Sequence, residues 1–252
     1  MTQNSTTQPH ASRGELPRAM LIDMDDTIIT LTETSTRCWG DLCVTYAPRL
    51  PVRATHEEML GILNQIRMDF WRDPASHRPY RMDLLGSRRA ILTQLLAQIG
   101  VAGGAEELAQ EMAHHFTEAQ LGSITAFPGA IEAVRELRTR GVKLALITNG
   151  EGREQRRKIE RFALAPLFDC VIVEGEFGKG KPDPEVYHHA LSALGAEAHE
   201  TWMVGDNLEW EVAMPKQLGI YSVWVDFAAK GLPADAPAQP DRIIHNLAEL
   251  VV

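Results

Sequence analysis

The sequence has few cysteines, no long apolar run and no long basic run. Its three cysteines, Cys38, Cys43 and Cys170, are too few and too scattered for a disulfide framework or a zinc site, so we expect small buried hydrophobic side chains. No apolar segment approaches the roughly 18 residues that a transmembrane helix requires. The polar segment 1–17 lacks the apolar stretch of a signal peptide. We therefore expect a flexible tail over residues 1–17, a cytoplasmic location and no membrane partner.

The charge balance argues against a nucleic-acid partner. The formal net charge is −9, and the basic residues do not form a long run. A chain that is negative overall does not attract an anionic substrate from a distance, so local cations would have to hold one. With 252 residues, of which 44% are hydrophobic and 23% are charged, the chain is long enough for one large domain or for a core domain with a smaller one. The composition indicates an ordinary globular protein, which we expect to be a monomer or a homodimer.

Near-continuous apolar runs alternate with segments that have helical spacing. The runs are RAMLID, VKLALITNG, CVIVEG, TWMVGD and YSVWVD. This pattern is typical of strands that are buried on both faces of a parallel sheet. Between them, segments such as GAIEAVRELRTRG carry apolar residues at helical spacing, and Gly141 would end that helix. The sequence therefore predicts an α/β fold with a doubly wound parallel sheet, completed by a short strand and a last helix in RIIHNLAELVV.

One interval breaks this alternation. Between residues 34 and 122 the sequence has helical patterns but no convincing strand. The interval is too long for one crossover helix, so we predict an inserted helical domain. The predicted organisation is a tail over 1–17, an α/β core over 18–33 and 123–252, and a helical cap over 34–122. Residues 228–241 are expected to form a surface loop.

Polar and charged side chains follow successive strands of this predicted sheet. They are Asp23 and Asp25 after the first strand, Thr148 and Asn149 after the second, Lys181 in the loop after the third, and Asp206 after the fourth. Each one alone is also typical of a turn, a cap or a loop. Because ligands bind outside the carboxyl ends of the strands in an open parallel sheet, we expect these side chains to converge on one site.

These residue types suit phosphoryl chemistry. Carboxylate oxygens from two strands suit a hard cation, and Mg²⁺ commonly takes one or two carboxylates together with substrate phosphate and water. A lysine with a hydroxyl or an amide would hold the non-bridging oxygens of a phosphoryl group. One aspartate would attack phosphorus, and a second carboxyl two residues away would protonate the leaving oxygen and later deprotonate water.

Four segments, DMDDT, LITNG, GKGKPDP and VGDNLEWE, occur in this order between residues 23 and 211. In order and spacing the chain resembles the haloacid dehalogenase superfamily, and more narrowly the phosphatase-like members that carry a helical cap between the first two motifs. Each motif alone is weakly specific, whereas the ordered set of four is strongly so. The resemblance implies a Rossmann-like core with an inserted α-helical cap domain.

The resemblance also implies a role for each residue of the site. Asp23 corresponds to the nucleophile, Asp25 to the general acid/base and Thr27 to a residue that supports the loop. Thr148 and Asn149 correspond to the phosphoryl-binding positions, Lys181 to the lysine that neutralises nucleophile and phosphate, and Asp206 to the acid that completes a Mg²⁺ site with the Asp23 carboxylate and the Asp25 main-chain carbonyl. Lys179 is an alternative for the lysine role, although the KPDP context favours Lys181.

Asp25 and Glu211 bear on which reaction this resemblance implies. In the dehalogenases the position two residues after the nucleophile is not an acid, because a halide leaving group needs no proton, so Asp25 favours phosphate ester hydrolysis. The fourth motif usually ends in aspartate, and here that position holds Glu211. Its longer side chain would reach a metal-bound water or crowd the metal. We assign Asp26 to the turn and Glu209 to a helix surface.

The predicted cap would decide which substrate is accepted. Its arginines are candidates for binding phosphate or carboxylate groups. Arg37, Trp39 and Arg81 are the candidate substrate contacts, whereas Phe70 and Trp71 are expected to pack inside the cap.

The function expected from these features is a Mg²⁺-dependent phosphatase that hydrolyses a small phosphorylated metabolite through an aspartyl-phosphate on Asp23. A sugar phosphomutase would use the same residues and return the phosphoryl group to the substrate. A 2-haloacid dehalogenase is disfavoured by Asp25, and a non-catalytic binding protein is disfavoured because no essential group is missing. The sequence leaves the identity of the substrate open.

Overall fold

A parallel sheet forms the centre of the fold in the computed structural model, which describes residues 16–73, 80 and 82–252. Its strands are β1 (Ala19–Ile22), β2 (Lys143–Thr148), β3 (Cys170–Val173), β4 (Thr201–Gly205), β5 (Tyr221–Val225) and β6 (Arg242–Ile244). Within the described ranges they pair in parallel, in the order β3-β2-β1-β4-β5-β6. The predicted α/β fold is confirmed, while residues 1–15 of the predicted tail lie outside the described residues.

The helices connect these strands, and in the described residues the five longer helices between β1 and β2 follow one another with no strand between them. The longer helices are α1 (Thr32–Tyr46), α2 (His56–Arg72), α3 (Leu84–Gln98), α4 (Ala105–Ser123), α5 (Ala130–Thr139), α6 (Gly152–Arg161) and α7 (Pro184–Leu194). Shorter helical segments lie at Ala47–Arg49, Ala165–Leu167, Glu174–Phe177, Ala198–Glu200, Leu208–Ala213, Met214–Gln217 and Leu247–Leu250, of which Leu208–Ala213 is π-helical. As predicted, α5 is followed by Gly141, whose φ of 86° lies in the left-handed region that glycine adopts at low cost.

Apolar side chains cover both faces of the sheet, which is why its central strands are so uniformly hydrophobic. On one face Ile22 of β1 belongs to a cluster that includes Leu137 of α5. On the other face Leu21 belongs to a cluster that includes Tyr187 of α7. Successive residues of β1 therefore enter opposite layers of the core, and the charged residues that follow it emerge at the sheet edge.

The register brings the ends of the central strands to that same edge. Ile22 of β1 pairs with Leu146 of β2 and with Val204 of β4. Asp23 follows Ile22 directly, and Thr148 and Asp206 each come two residues after the paired position. The polar residues that follow β1, β2 and β4 therefore lie at nearly the same level along the strand direction, as the sequence predicts for the site.

Helices α1 to α4 build an apolar cluster of their own. Trp39 stacks on Phe116 with 3.7 Å between ring centroids, and Leu63 and Leu92 are fully buried beside them. The described residues between 34 and 122 contain no strand. We keep the division into a core (18–33 and 123–252) and a cap (34–122) as a proposal, which this separate cluster supports.

The prediction of a last α-helix is wrong, because the segment forms a 3₁₀ turn. Leu247–Leu250 forms a single 3₁₀ turn after β6, in which the Asn246 side chain accepts a hydrogen bond from Ala248 N (2.9 Å) and Glu249 accepts one from Asn246 N (3.1 Å). This short segment offers too few residues to continue an α-helix beyond its costly first turn. Residues 228–241 contain neither helix nor strand, as predicted for a loop. Among the described residues, no helix combines the length and the apolar character needed to cross a membrane.

Candidate active site

The turn after β1 is held by Asp26. Its φ of 56° lies in the left-handed region, which aspartate tolerates better than most residues. The Asp26 carboxylate accepts hydrogen bonds from Leu31 N (2.8 Å), Thr32 N (2.9 Å) and the Thr32 hydroxyl (2.5 Å), so it joins the turn to the start of α1. Asp26 therefore occupies the turn position that the sequence interpretation assigned to it, and the next residue, Thr27, is buried.

Lys181 lies between the carboxylate that directly follows β1 and a carboxylate in the π-helical segment Leu208–Ala213. Its ammonium nitrogen lies 2.5 Å from Asp23 Oδ1 and 2.7 Å from Glu211 Oε1, and its side chain is fully buried. Burial alone would lower the pKa of Lys181, but the two carboxylates outweigh that effect and hold the pKa above its usual range. Lys179, the alternative lysine, pairs instead with Asp183 and Glu185.

Asn149 fixes the loop that carries this lysine. Its side-chain amide donates to Lys181 O (2.7 Å), and its side-chain oxygen accepts from Lys181 N (2.8 Å). The side-chain amide is thus occupied by the main chain of the neighbouring loop. The sequence predicts that Asn149 binds the phosphoryl group, which stays a prediction, and its side chain also fixes the main chain of Lys181.

The hydroxyl of Thr148 and the carboxylate of Asp25 share a partner on α6. Gln155 Nε2 donates to Thr148 Oγ1 (2.5 Å), to Asn149 O (2.8 Å) and to Asp25 Oδ2 (2.9 Å). Lys158, one helical turn further on, lies 2.8 Å from Asp25 Oδ1 and 2.7 Å from Asp25 Oδ2. The two residues on α6 therefore bind the acid that the resemblance identifies as the general acid/base.

Glu211 is accommodated by a glycine at the end of β4. A Cβ atom on Gly205 would lie 2.2 Å from Glu211 Cγ, so only glycine leaves room for the longer side chain. Glu211 Oε2 accepts a hydrogen bond from Asn207 N (2.7 Å), and the side chain is fully buried. Burial raises the pKa of Glu211 to about 7, against the lowering effect of Lys181. The glutamate at this position thus pairs with the buried lysine.

Asp206 is surrounded by acids. Burial, together with the carboxylates of Asp23, Glu211 and Asp26, raises the pKa of Asp206 to about 9. Burial likewise raises the pKa of Asp23, although Lys181 acts in the opposite direction. This concentration of negative charge around one lysine is the environment that a divalent cation would neutralise.

The oxygen donors here fit a magnesium ion better than a metal held by side chains alone. Among the described residues, no group of three or more histidine, cysteine, aspartate or glutamate side chains is arranged to hold a metal ion. The donors that the resemblance implies are two carboxylates, from Asp23 and Asp206, and the main-chain carbonyl of Asp25. All three residues line one pocket, and Mg²⁺ characteristically takes few carboxylates and completes its coordination with water and phosphate.

The pocket has a volume of about 580 Å³, and both acidic and apolar side chains line it. Asp23, Asp25, Thr148, Asn149, Lys181 and Asp206 all line it, together with Gln155 and Lys158. Leu31, Trp71, Leu84 and Trp210 supply the apolar part of its lining. The structure thus brings the six predicted residues of the sheet edge to one pocket, with room for a small ligand.

The cap residues contribute differently from what the sequence predicts. Trp39 is buried in the cap cluster against Phe116 and does not line this pocket. Trp71, expected inside the cap, is 47% exposed and lines the pocket. Helical spacing cannot separate these two tryptophans, because the position of the cap over the sheet decides which one faces the pocket. Arg37 is exposed and does not line this pocket, and Arg81 lies outside the described residues.

Gln155 and Lys158 are the site residues that sequence reasoning missed. They occur in the segment GREQRRKIER, which is rich in charge and is typical of a solvated helix surface. Both are nevertheless buried, at 2% and 6% exposure. Their only sequence signal is the three-residue spacing that puts them on one side of the helix, next to the buried Ile159.

Comparison with known proteins identifies the relatives of this chain. The family model for haloacid dehalogenase-like hydrolases matches residues 17–219. A phosphoserine phosphatase from Thermus thermophilus is 41% identical over 150 residues, which cover 59% of this chain and 59% of the relative, less than two thirds of its length. A glyceraldehyde 3-phosphate phosphatase from Methanocaldococcus jannaschii is 29% identical over 242 residues, covering 93% of this chain and 95% of the relative.

Solved structures show the same fold at low sequence identity. A HAD-hydrolase, YfnB, from Bacillus subtilis, solved bound to magnesium, has a TM-score of 0.70 at 20% identity and covers 94% of this chain and 97% of its own. A 2-haloacid dehalogenase from Pseudomonas syringae has a TM-score of 0.61 at 25% identity and covers 93% of this chain and 96% of its own. Because phosphatases and dehalogenases share this architecture, the reaction must be argued from the site.

Proposed function

The chain belongs to the haloacid dehalogenase-like hydrolases, and from this premise we propose that it is a Mg²⁺-dependent phosphatase that hydrolyses a small phosphate monoester through an aspartyl-phosphate on Asp23. The observation that carries the proposal is the 2.5 Å ion pair between Asp23 and the buried Lys181 in a pocket that Asp25 also lines. The pair offers an anionic nucleophile beside a fixed positive charge, and Asp25 supplies the acid that an alkoxide leaving group requires.

The proposed reaction has two steps. In the first, an Asp23 carboxylate oxygen forms a bond to phosphorus while the ester oxygen leaves with its electron pair and takes a proton from Asp25. In the second, Asp25 accepts a proton from a water molecule that attacks the phosphoryl group, and the P–O bond to Asp23 breaks to release phosphate. Lys181 remains beside Asp23 throughout and offsets the negative charge of the phosphoryl oxygens.

A magnesium ion would be held by the carboxylates of Asp23 and Asp206 and by the main-chain carbonyl of Asp25. It would supply the positive charge that these crowded acids and the phosphoryl group both lack. Burial, together with the neighbouring carboxylates, raises the pKa of Asp206 to about 9, and the contribution of those carboxylates supports this assignment.

The substrate proposed is a small phosphorylated metabolite. Relatives named as a phosphoserine phosphatase and a glyceraldehyde 3-phosphate phosphatase support this class, and the pocket volume of about 580 Å³ suits a ligand of that size. The oligomeric state, monomer or homodimer, and the cytoplasmic location stay predictions from the sequence.

The proposal is tested by phosphate release from p-nitrophenyl phosphate and from a panel of phosphorylated metabolites that includes phosphoserine and glyceraldehyde 3-phosphate. We expect many turnovers per enzyme with Mg²⁺ and almost none in EDTA. Phosphate that never exceeds the enzyme, together with an isomerised sugar phosphate, would establish a phosphomutase. Chloride release from 2-chloropropionate without metal would establish a dehalogenase. No turnover, together with no thermal stabilisation by beryllofluoride and Mg²⁺, would indicate a binding protein.

Replacing Asp206 with asparagine is expected to move stability and activity in opposite directions. The folded-state pKa of Asp206, about 9, lies above its ordinary 3.8, so folding without metal takes up a proton, and the associated cost grows as the pH rises between these values. Asp206→Asn removes that cost. In EDTA the variant should therefore melt higher than the wild type, by more at pH 8 than at pH 5. The variant should also lose both the Mg²⁺-dependent rise in melting temperature and Mg²⁺-dependent turnover. A variant that melts lower than the wild type at both pH values would contradict this account of the site.

A further inference from the structure

Two side chains of α6 bind the Asp25 carboxylate. Lys158 Nζ lies within 2.8 Å of both of its oxygens, and Gln155 Nε2 donates to Oδ2 at 2.9 Å. The side chain of Lys158 is only 7% exposed, and that of Asp25 is 19% exposed. Two charges this far from water remain paired only in a well-defined geometry. Asp25 is therefore held in one orientation before any ligand binds.

Gln155 links this carboxylate to the phosphoryl-binding loop. Its amide nitrogen has three acceptors within reach, namely Asp25 Oδ2, Thr148 Oγ1 and Asn149 O. An amide nitrogen carries only two hydrogens, so not all three bonds are satisfied at once. A ligand that occupies the Thr148 hydroxyl would therefore leave Gln155 free to bind Asp25.

Helix α6 is itself anchored to the cap along an adjacent face. Glu154 binds Arg88 of α3 through a salt bridge that is largely shielded from solvent. Arg157 donates to both carboxylate oxygens of Glu118 on α4, at 2.8 and 2.7 Å. Positions 154 and 157 are three residues apart and share one side of the helix. Helix α6 is thus fixed to the cap helices. Its residues Gln155 and Lys158 therefore have little freedom to move if the Asp25 carboxylate changes position.

We propose that Lys158, assisted by Gln155, is a positioning residue that holds the Asp25 carboxylate where it exchanges protons with the leaving oxygen and with water. This inference rests on the proposed function. Without Lys158 the Asp25 side chain would be free to rotate towards Lys181 or a bound cation, which also attract a carboxylate. Nucleophile, lysine and phosphoryl site would remain in place, and only the steps that need proton transfer would slow.

The test compares two esters of similar shape that differ in their need for a proton. The nitro group stabilises p-nitrophenolate, so it leaves without protonation, whereas phenolate from phenyl phosphate depends on the acid. The quantity to compare is kcat/KM, because it reports the steps up to departure of the leaving group. For Lys158→Met we expect kcat/KM to fall by about 100-fold or more with phenyl phosphate and by about tenfold or less with p-nitrophenyl phosphate.

Several variants keep this test interpretable. Lys158→Arg retains the charge and should restore the ratio between the two esters to within a few-fold of the wild-type value. Gln155→Met should move the ratio in the same direction as Lys158→Met but less. Arg156→Met, on the same helix but paired with Glu176, is the matched control and should leave the ratio unchanged. If Lys158→Met does not fold, Lys158→Gln, which keeps a donor, is expected to give an intermediate ratio.

The outcomes separate this inference from the function on which it rests. A wild type that turns over both esters, with a Lys158 variant that loses activity equally on both or on neither, would overturn the positioning role alone. A wild type that releases no phosphate from any ester would overturn the proposed function and the positioning role together.

Discussion

Replacing Asp23 with asparagine is expected to lower phosphate release by at least about 10⁴-fold, since the loss of a covalent nucleophile removes the reaction path itself. The amide has nearly the same shape as the carboxylate but cannot form the aspartyl-phosphate. Lys181 keeps its contact with Glu211 at 2.7 Å, so the buried lysine is not left unpaired and the fold should persist. The measurement is turnover of p-nitrophenyl phosphate with Mg²⁺, together with a thermal melt of the same preparation.

The control is Asp235→Asn, the same chemical change in the exposed loop 228–241, which should leave turnover unchanged. A short pulse of labelled substrate should trap acid-stable phosphate on the wild type only if the acyl-phosphate bond to Asp23 is slow to break, so turnover remains the deciding quantity. Normal turnover by Asp23→Asn would rule out the nucleophilic role, whatever the substrate.

The fold could be predicted from local sequence patterns because its strands are buried on both faces. A near-continuous apolar run such as VKLALITNG indicates a strand that is buried on both faces. Helices between such runs indicate that the strands pair in parallel. The last segment was misassigned because an apolar run of a few residues fits a 3₁₀ turn as well as an α-helix. The capping hydrogen bonds of Asn246 and Glu249 favour the 3₁₀ turn.

The site could be predicted only in part, because its contacts join residues far apart in the chain. The positions of Asp23, Thr148 and Asp206 could be predicted, because the carboxyl ends of parallel strands meet at one edge of the sheet. The bond from Lys158 to Asp25 spans 133 positions and follows no such rule. The partner of Glu211 was equally hidden, because its direction depends on the space that Gly205 leaves at the end of β4.

These hidden contacts have a common physical origin. Lysines and glutamines are normally exposed, so their sequence context carries no sign of burial. They become buried here because an acidic pocket requires positive charge and hydrogen-bond donors close by. Lys181 pairs with Asp23, the proposed nucleophile, and with Glu211, whereas Lys158 pairs with Asp25, the proposed acid/base.

Replacing Lys181 with methionine is expected to be the most destabilising change at the site. It would leave Asp23 and Glu211 buried without their shared cation, and loss of one partner from a buried charge group costs about 3–5 kcal/mol. In EDTA we expect the free energy of unfolding in urea to fall by that amount. Phosphate release with Mg²⁺ should fall by about 10²–10³-fold, since one preorganised charge at the phosphoryl group is lost.

A second change separates the structural and catalytic parts of this loss. Glu211→Gln in the Lys181→Met background removes one of the two uncompensated carboxylates, so the double variant should recover a substantial part of the stability in EDTA. It should recover none of the activity, because the charge beside Asp23 is still missing. With the Glu211→Gln single variant these proteins complete a double-mutant cycle, in which a coupling energy of about 0.5–3 kcal/mol is expected for residues in direct contact. If the double variant unfolds no later in urea than Lys181→Met, then Glu211 does not depend on Lys181, and the glutamate at this position must be explained by its bond to Asn207 N alone.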